Sequence, residues 1–410
     1  MAVIVITAVP YGTVEAWWKA AFVCAIFLIS IIAVLEISIK DAWHFNPGPV
    51  LLPMLTLSAL AYLQSFGGIS ADPYQTRFFV LQLLALTAFL ALLNRYAATE
   101  DRLRVLVVVV IGVAVASAVF GILRQTTQLR IGFVLPLLRP HEGYAQFINK
   151  NHFAYLTEMA FGLGLGLMLA GGIKRDRLLI CVAALLPIWM ALVMSDSRGG
   201  VLAMLTQVLI GALVVQTQFV QTAKLAVVRI VLIVFLVAGV LLGTVWIGGD
   251  RLLSSFEAAN SEAVDVAREG ASRNDIWRAT LKMFGAHPLL GVGLGGYWIA
   301  ITAYHDASGA LTPQEAHNDY LELLSSGGVV GLALGAWFAV SVIRLTRRNL
   351  QTDTGFIRAV RFGAVLGIAG VATHSLVDFG LHIIANAVVF VTLIMMATAT
   401  IEPSQRYLKN

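Results

Sequence analysis

About eleven segments of this 410-residue chain stay apolar over lengths close to the roughly 20 residues that cross a bilayer as a helix. Their cores run from Trp17 to Ile37, Pro49 to Phe66, Phe78 to Leu93, Val105 to Leu123, Phe153 to Leu169, Leu178 to Met194, Val201 to Val215, Ala226 to Ile247, Val329 to Ile343, Phe362 to Val377 and Ile383 to Ile401. In lipid every backbone N–H and C=O must be paired within the protein, and a helix does this by itself. The expected fold is an all-α polytopic membrane protein of about 11–12 transmembrane helices, with one large outer loop that carries short amphipathic helices. With 59% hydrophobic and 12% charged residues, against about 25% charged in soluble domains, the chain cannot build a water-facing surface. That excludes a soluble enzyme, a nucleic-acid binder and a disordered scaffold. Three parts follow: transmembrane helices over 1–247, the large loop over 248–328, and C-terminal helices with a tail over 329–410.

No cleavable signal peptide is visible, and the apolar run from Met1 to Pro10 reads as the stub of a further helix. Cys24 and Cys181 sit inside apolar runs and make neither a disulfide nor a thiolate metal pattern. Sixteen of the 28 lysines and arginines fall in connections on alternate sides of successive spans: Lys40, Arg95/Arg102/Arg104, Lys174/Arg175/Arg177, Lys224/Arg229, Arg344/Arg347/Arg348/Arg358/Arg361 and Arg406/Lys409. By the positive-inside rule these loops face the cytoplasm. Cations on the other side are the informative ones. Arg124, Arg130, Arg139 and Lys150 share one outer loop, Arg198 lies in a short Ser-Asp-Ser-Arg-Gly-Gly turn, and Arg251, Arg268, Arg273, Arg278 and Lys282 lie in the large loop. An anionic ligand at the outer membrane face accounts for them.

The large loop has structure of its own. Ser272-Arg273-Asn274-Asp275 resembles a capping box, followed by Trp277, Leu281 and Phe284 on one stripe and Arg278 and Lys282 on another, the pattern of an interfacial helix. Arg273 then falls in a first turn, where N–H groups and the helix dipole favour phosphate. A surface helix with snorkelling cations reads equally well from this pattern. A second helix is expected from Thr312 as N-cap, Pro313 at the first helical position and Glu315 at N3, ending at Gly327-Gly328. It would place His317, Leu321 and Leu324 on one stripe, with Asn318, Asp319 and Glu322 on the same early turns. A histidine there serves either as a structural hydrogen-bonder or in proton transfer near neutral pH.

Two more polar groups lie near outer ends of spans. His141-Glu142-Gly143-Tyr144 through Asn149-Lys150-Asn151-His152 offers groups able to bind sugar hydroxyls or fix loop geometry. The last outer loop carries His374, Ser375, Asp378 and His382, where a His374 to Asp378 pair at i, i+4 reads as a structural helix contact. No His-Glu-x-x-His, zinc-spaced Cys/His cluster or Asp-x-Asp pair is present, and neither is a Gly-x-Ser-x-Gly elbow. Gly291-Val-Gly-Leu-Gly-Gly follows no strand, which argues against nucleotide binding.

Taken in order, Asn149-Lys-Asn-His-Phe-Ala, Ser195-Asp-Ser-Arg-Gly-Gly, Ser272-Arg-Asn-Asp-Ile-Trp, His287-Pro-Leu-Leu-Gly-Val-Gly-Leu-Gly-Gly-Tyr, Ala316-His-Asn-Asp-Tyr-Leu-Glu, Gly327-Gly-Val-Val-Gly and His374-Ser-Leu-Val-Asp-Phe resemble the O-antigen ligase/polymerase superfamily. The resemblance covers residues from about 140 to 390, and the missing first helix is its clearest departure. It implies an inner-membrane glycosyltransferase of the all-helical, GT-C-like class, with its site facing the periplasm. Such an enzyme takes a glycan from undecaprenyl diphosphate and joins it to lipid A core as a ligase, to another repeat unit as a polymerase, or to a protein as an oligosaccharyltransferase. It implies that arginines holding the diphosphate carry over to Arg198 and to Arg273 or Arg278, and the loop histidine to His317. Arg278, Arg139, His141, Asn151, Glu315 and Asn318 are the expected substrate contacts.

The chemistry agrees with that expectation. Transfer from a diphosphate needs charge stabilised on the leaving group and a proton removed from the acceptor hydroxyl. Arginine forks can supply the first without a metal or other cofactor, and His317 the second. A direct attack inverts the anomeric carbon. The rival of another class is a non-enzymatic transporter of the lipid-linked glycan, although no internal repeat of the kind common in transporters is visible. With Cys24 and Cys181 removed, a cysteine at Ser308 should react with a membrane-impermeant thiol reagent in spheroplasts and one at Asn349 should not. Labelling at Asn349 alone would invert the topology.

Overall fold

The computed structural model describes residues 1–40, 48–127, 143–218, 273–305 and 312–402. Among them the chain is helical throughout, as expected: α1 (Ala2–Ala8), α2 (Ala16–Ile39), α3 (Leu51–Phe66), α4 (Pro73–Tyr96), α5 (Glu100–Thr127), α6 (Lys150–Leu169), α7 (Leu178–Met194), α8 (Arg198–Gln218), α9 (Arg273–Ala286), α10 (Tyr297–Ala300), α11 (Asp319–Thr352), α12 (Gly355–His374) and α13 (Ile384–Thr398). Seven helices among the described residues are long and apolar enough to cross a membrane, and α3, α8 and α13 are shorter apolar helices. The protein is a multi-pass membrane protein. Ten of the eleven expected spans coincide with these helices, and the segment from Ala226 to Ile247 lies outside the described residues.

Helix α6 sits at the centre. Every residue from His152 to Leu167 is buried, the mark of a helix surrounded by others rather than by lipid. Its glycines let α12 come close: a side chain at Gly162 or Gly166 would run into the backbone at Gly367 or Gly363. Small residues at such crossings are what allow membrane helices to pack tightly without a hydrophobic driving force.

The two ends of the bundle differ. At the end bearing the basic turns, Tyr96 Oη donates to Glu36 Oε2 at 2.7 Å, joining α4 to α2. The Arg104 guanidinium lies 3.9 Å from the Phe356 ring centroid, and Asn349 donates to the Thr398 carbonyl at 2.9 Å. Arg361 belongs here too, but it is 1% exposed and serves the fold rather than a loop. Its guanidinium pairs with Asp353 and donates to the carbonyls of Met396, Ala397 and Ala399 at 3.2, 2.9 and 2.7 Å. These are terminal carbonyls of α13, which a helix leaves without intrahelical partners.

The opposite end collects the sequence motifs. Helix α11 does not start at Thr312. Asn318 is its N-cap, with Oδ1 accepting from the backbone of Tyr320 and Leu321 at 3.0 Å each, so residues 312–318 form a loop and His317 precedes the helix. The Gly327-Gly328 stop is a break inside the helix instead, with Gly328 at φ 65° against the Leu289 carbonyl, where a side chain cannot fit. The glycine-rich run reaches the same place through Val292 and Gly293, whose N–H groups donate to Ser325 and Ser326 at 3.1 and 3.0 Å. On α9 the buried face is Ile276, Ala279, Thr280 and Met283, whereas Leu281 of the expected apolar stripe is exposed. The helix packs Ala279 and Met283 into a cluster with Tyr297, Ile301 and Ala316, so its inward face is turned away from the expected stripe and Leu281 is left outward.

Arg361→Ala would leave a partly exposed carboxylate and three carbonyls without their buried donor. It should cost about 3–5 kcal/mol, read as a clear fall in melting temperature of the detergent-purified protein. An unchanged melting temperature would show that Arg361 is dispensable.

Candidate functional site

The site is built on the turn after α12. His374 closes that helix, and Ser375 and Leu376 hold the start of α11 by three hydrogen bonds. Asp319 N–H donates to the Ser375 carbonyl at 3.0 Å, Asn318 Nδ2 to the Leu376 carbonyl at 2.9 Å, and Ser375 Oγ to Asp319 Oδ2 at 2.6 Å. These bonds fix the loop that carries His317. Backbone φ at His317 is +50°, a conformation uncommon outside glycine and found where the surroundings over-determine it.

Asp378 faces His317. Its Oδ1 lies 3.8 Å from His317 Nδ1 and accepts from the Phe379 N–H at 2.8 Å, while Oδ2 accepts from Asn151 Nδ2. Burial alone would raise this carboxyl. The facing His317, then His374 and His152, outweigh burial and hold it well below the ordinary carboxylate range. The Phe379 ring stands edge-on to His317 and His152, with centroids 4.9 and 5.1 Å apart.

A second cluster adjoins the first. His382 Nδ1 lies 3.3 Å from Glu315 Oε2, and its Nε2 lies 3.6 Å from Asp319 Oδ1 and 3.5 Å from Glu322 Oε1. Burial favours the neutral imidazole, but Glu322, Glu315 and Asp319 outweigh it and lift the pKa of His382 well above its usual value. Glu315 is lowered, since His382, then a hydrogen bond with Glu322 and the charge of Lys19 overcome the penalty of burial, whereas burial and Glu315 raise Glu322 well above its usual value. Glu322 also accepts the Ala316 N–H at 2.9 Å.

The arginines come to the same end. Arg198 opens α8, half-buried, after a turn in which Asp196 has φ +54°. Ser197 Oγ accepts the Gly200 N–H at 3.2 Å, and Gly199 lies against the His374 ring and Val377. The turn after α12 therefore touches the Arg198 turn on one side and the His317 loop on the other. Arg273, half-buried, opens α9, and Trp277 one turn later donates from Nε1 to the Ala316 carbonyl at 3.0 Å. Arg278 is exposed on the same helix. Asn318 uses both ends of its amide within the fold, and Asn151 bonds Asp378. Arg139 and His141 lie outside the described residues.

Two features differ from the sequence reading. His374 contacts Glu158 rather than pairing with Asp378: Nδ1 lies 2.8 Å from Glu158 Oε2, both side chains fully buried between α12 and α6. Glu158 was not singled out, although a lone carboxylate in an apolar span is itself a signal. Arg124, one of the outer cations, is buried and donates to the Ala145 carbonyl at 2.7 Å, so its role includes anchoring the 143–147 turn.

Residues 182–336 match the O-antigen ligase family. The span runs from α7 into α11 and holds Arg198, Arg273 and His317, so the family resemblance read from the motifs is borne out there. The Asn149 and His374 motifs flank it. A comparison with curated proteins found no match. The O-antigen ligase match supports glycan transfer of the ligase/polymerase type over the transporter reading.

Gly199→Ala tests the contact that links the arginine turn to His374. Its side chain would enter the imidazole, at a cost of about 1–3 kcal/mol. Gly112→Ala in α5, with open space around it, should lose no stability. Equal melting temperatures for both variants would remove the link.

Proposed function

We propose that this chain is an inverting, metal-independent glycosyltransferase of the inner membrane, in which arginines neutralise the leaving diphosphate. It moves a glycan from undecaprenyl diphosphate to an acceptor sugar at the periplasmic face. The leading reading is an O-antigen ligase acting on lipid A core. A polymerase or a protein oligosaccharyltransferase would need the same site and differ in its acceptor.

The observation that carries the reading is the double contact of the turn after α12, with the Arg198 turn through His374 and Val377 and with the His317 loop through Ser375 and Leu376. One rigid element thus joins a permanent cation to a proton acceptor. Glycosyl transfer makes these two demands. A bond forms from the acceptor oxygen to the anomeric carbon as the carbon–oxygen bond to phosphate breaks. Negative charge builds on the diphosphate, where a planar guanidinium can make paired contacts. Arg198 takes that charge, joined by Arg273 from the first turn of α9.

The acceptor hydroxyl's proton goes to His317. The Asp378 carboxylate faces Nδ1 and favours the tautomer with its proton there, which makes Nε2 the accepting nitrogen. Asn151, bonded to Asp378 from the start of α6, keeps the carboxylate in place. Glu315, Arg278, Arg139 and His141 are the proposed further substrate contacts, and Asn318 acts by holding the loop.

His317→Ala should bind the lipid diphosphate nearly as well as the wild type and turn over about 10²–10⁴-fold more slowly. Arg198→Lys should weaken donor binding as well, because an ammonium is a point charge without a fork. Both are read from purified protein in detergent with a labelled lipid-diphosphate glycan. A His317→Ala protein with near wild-type turnover would leave the histidine a structural role.

A further inference from the structure

The cluster around His382 has a use that proton transfer at His317 does not require. Oxygens of Glu315 and Glu322 and a ring nitrogen of His382 lie within 4.8 Å of one another. The carboxylates are held from behind. Glu322 gives Oε2 to the Ala316 N–H and turns Oε1 to His382. Asp319 gives Oδ2 to Ser375 and turns Oδ1 the same way. That Oδ1 is sealed from solvent and has no hydrogen-bond partner among the described residues.

Charge sharpens the point. Three carboxyl groups, of Glu315, Asp319 and Glu322, crowd one imidazole, and burial with the neighbouring carboxylates raises Glu322 well above its usual value and Asp319 to about 6. Their mutual repulsion opposes full ionisation of the cluster, and a cation among them would remove that penalty. Carboxylates fixed by hydrogen bonds through their second oxygens are the outer-shell arrangement found at metal sites. The donor set, one imidazole nitrogen with carboxylate oxygens, suits Mn²⁺ or Zn²⁺ better than Ca²⁺, which takes six to eight oxygens.

We propose that Glu315, Glu322 and His382 bind a divalent cation of the Mn²⁺ or Zn²⁺ class, with Asp319 as an adjoining third carboxylate. The residues come from the 312–318 loop, the first turn of α11 and the turn before α13, so one ion would fasten these three segments around His317. No arginine assigned to the diphosphate takes part. Such an ion would be structural: it would fix Glu315 and its loop, while the charge on the leaving diphosphate is still taken by the arginines without a metal. Because the ion would displace a proton from His382, its affinity rises with pH.

The full-length protein, purified in detergent and stripped with a chelator, should be titrated with Mn²⁺ and followed by the loss of the free-ion electron paramagnetic resonance signal. The expected result is about one Mn²⁺ per chain, displaced by Zn²⁺. Glu322→Gln and His382→Gln should each weaken binding about tenfold or more, while Arg198→Ala should bind Mn²⁺ as the wild type does. His382 is the more exposed of the two, so His382→Gln decides the matter if Glu322→Gln fails to fold. No saturable Mn²⁺ binding by the wild type, or equal binding by a folded His382→Gln protein, would overturn the site.

Discussion

Asp378 is the point on which the motif-bearing end of the bundle depends. That end is defined by the fold alone. Asp378 is 1% exposed, and its carboxylate accepts from Asn151 at the start of α6 and from its own turn while facing His317. A buried carboxylate is tolerated only when its oxygens are satisfied. Supplying those partners brings α6, the 312–318 loop and the turn after α12 into one arrangement. The strained backbone of His317 is retained because Leu376 and Ser375 hold Asn318 and Asp319 after it, while Glu322 and Trp277 hold Ala316 before it.

The same logic works in reverse at the other end. There Arg361 is the buried charge, and Asp353 with the last carbonyls of α13 satisfies it. Between the two ends, glycine-lined contact of α6 with α12 supplies a close-packed frame. In that frame the Glu158–His374 pair can sit fully buried beneath the Arg198 turn. Polar groups concentrated at the motif-bearing end, over an apolar middle, suit the proposed transfer from a lipid-anchored head group.

Much of this was legible in the sequence because the bilayer imposes it. Span positions follow from apolar run length, which the helices repeat, and the ordered motifs pointed to Arg198, Arg273 and His317. Other features depend on distant partners. Thr312-Pro313-Gln314-Glu315 has the local pattern of a helix start, yet Glu315 turns to His382 and the helix begins at Asn318, whose amide also reaches Leu376. The partner of His374 lies 216 residues away at Glu158, so an i, i+4 reading could not find it. On α9 the inward face is Ile276, Ala279 and Met283 rather than the Trp277, Leu281 and Phe284 stripe, because residues distant in sequence, Tyr297, Ile301 and Ala316, decide which side is covered. Asp378 was noted as an ionisable group near a span, but its pairing with Asn151 and His317 exists only in three dimensions.

The central claim is a single displacement in which arginines hold the leaving diphosphate while His317, oriented by Asp378, takes the acceptor's proton. The most direct test is the anomeric configuration of the product, read by nuclear magnetic resonance after the purified protein joins a lipid-diphosphate glycan of known configuration to a soluble acceptor. The account predicts complete inversion and no glycan attached to the protein at any time. Retention of configuration, or a glycosylated side chain trapped during turnover, would contradict it.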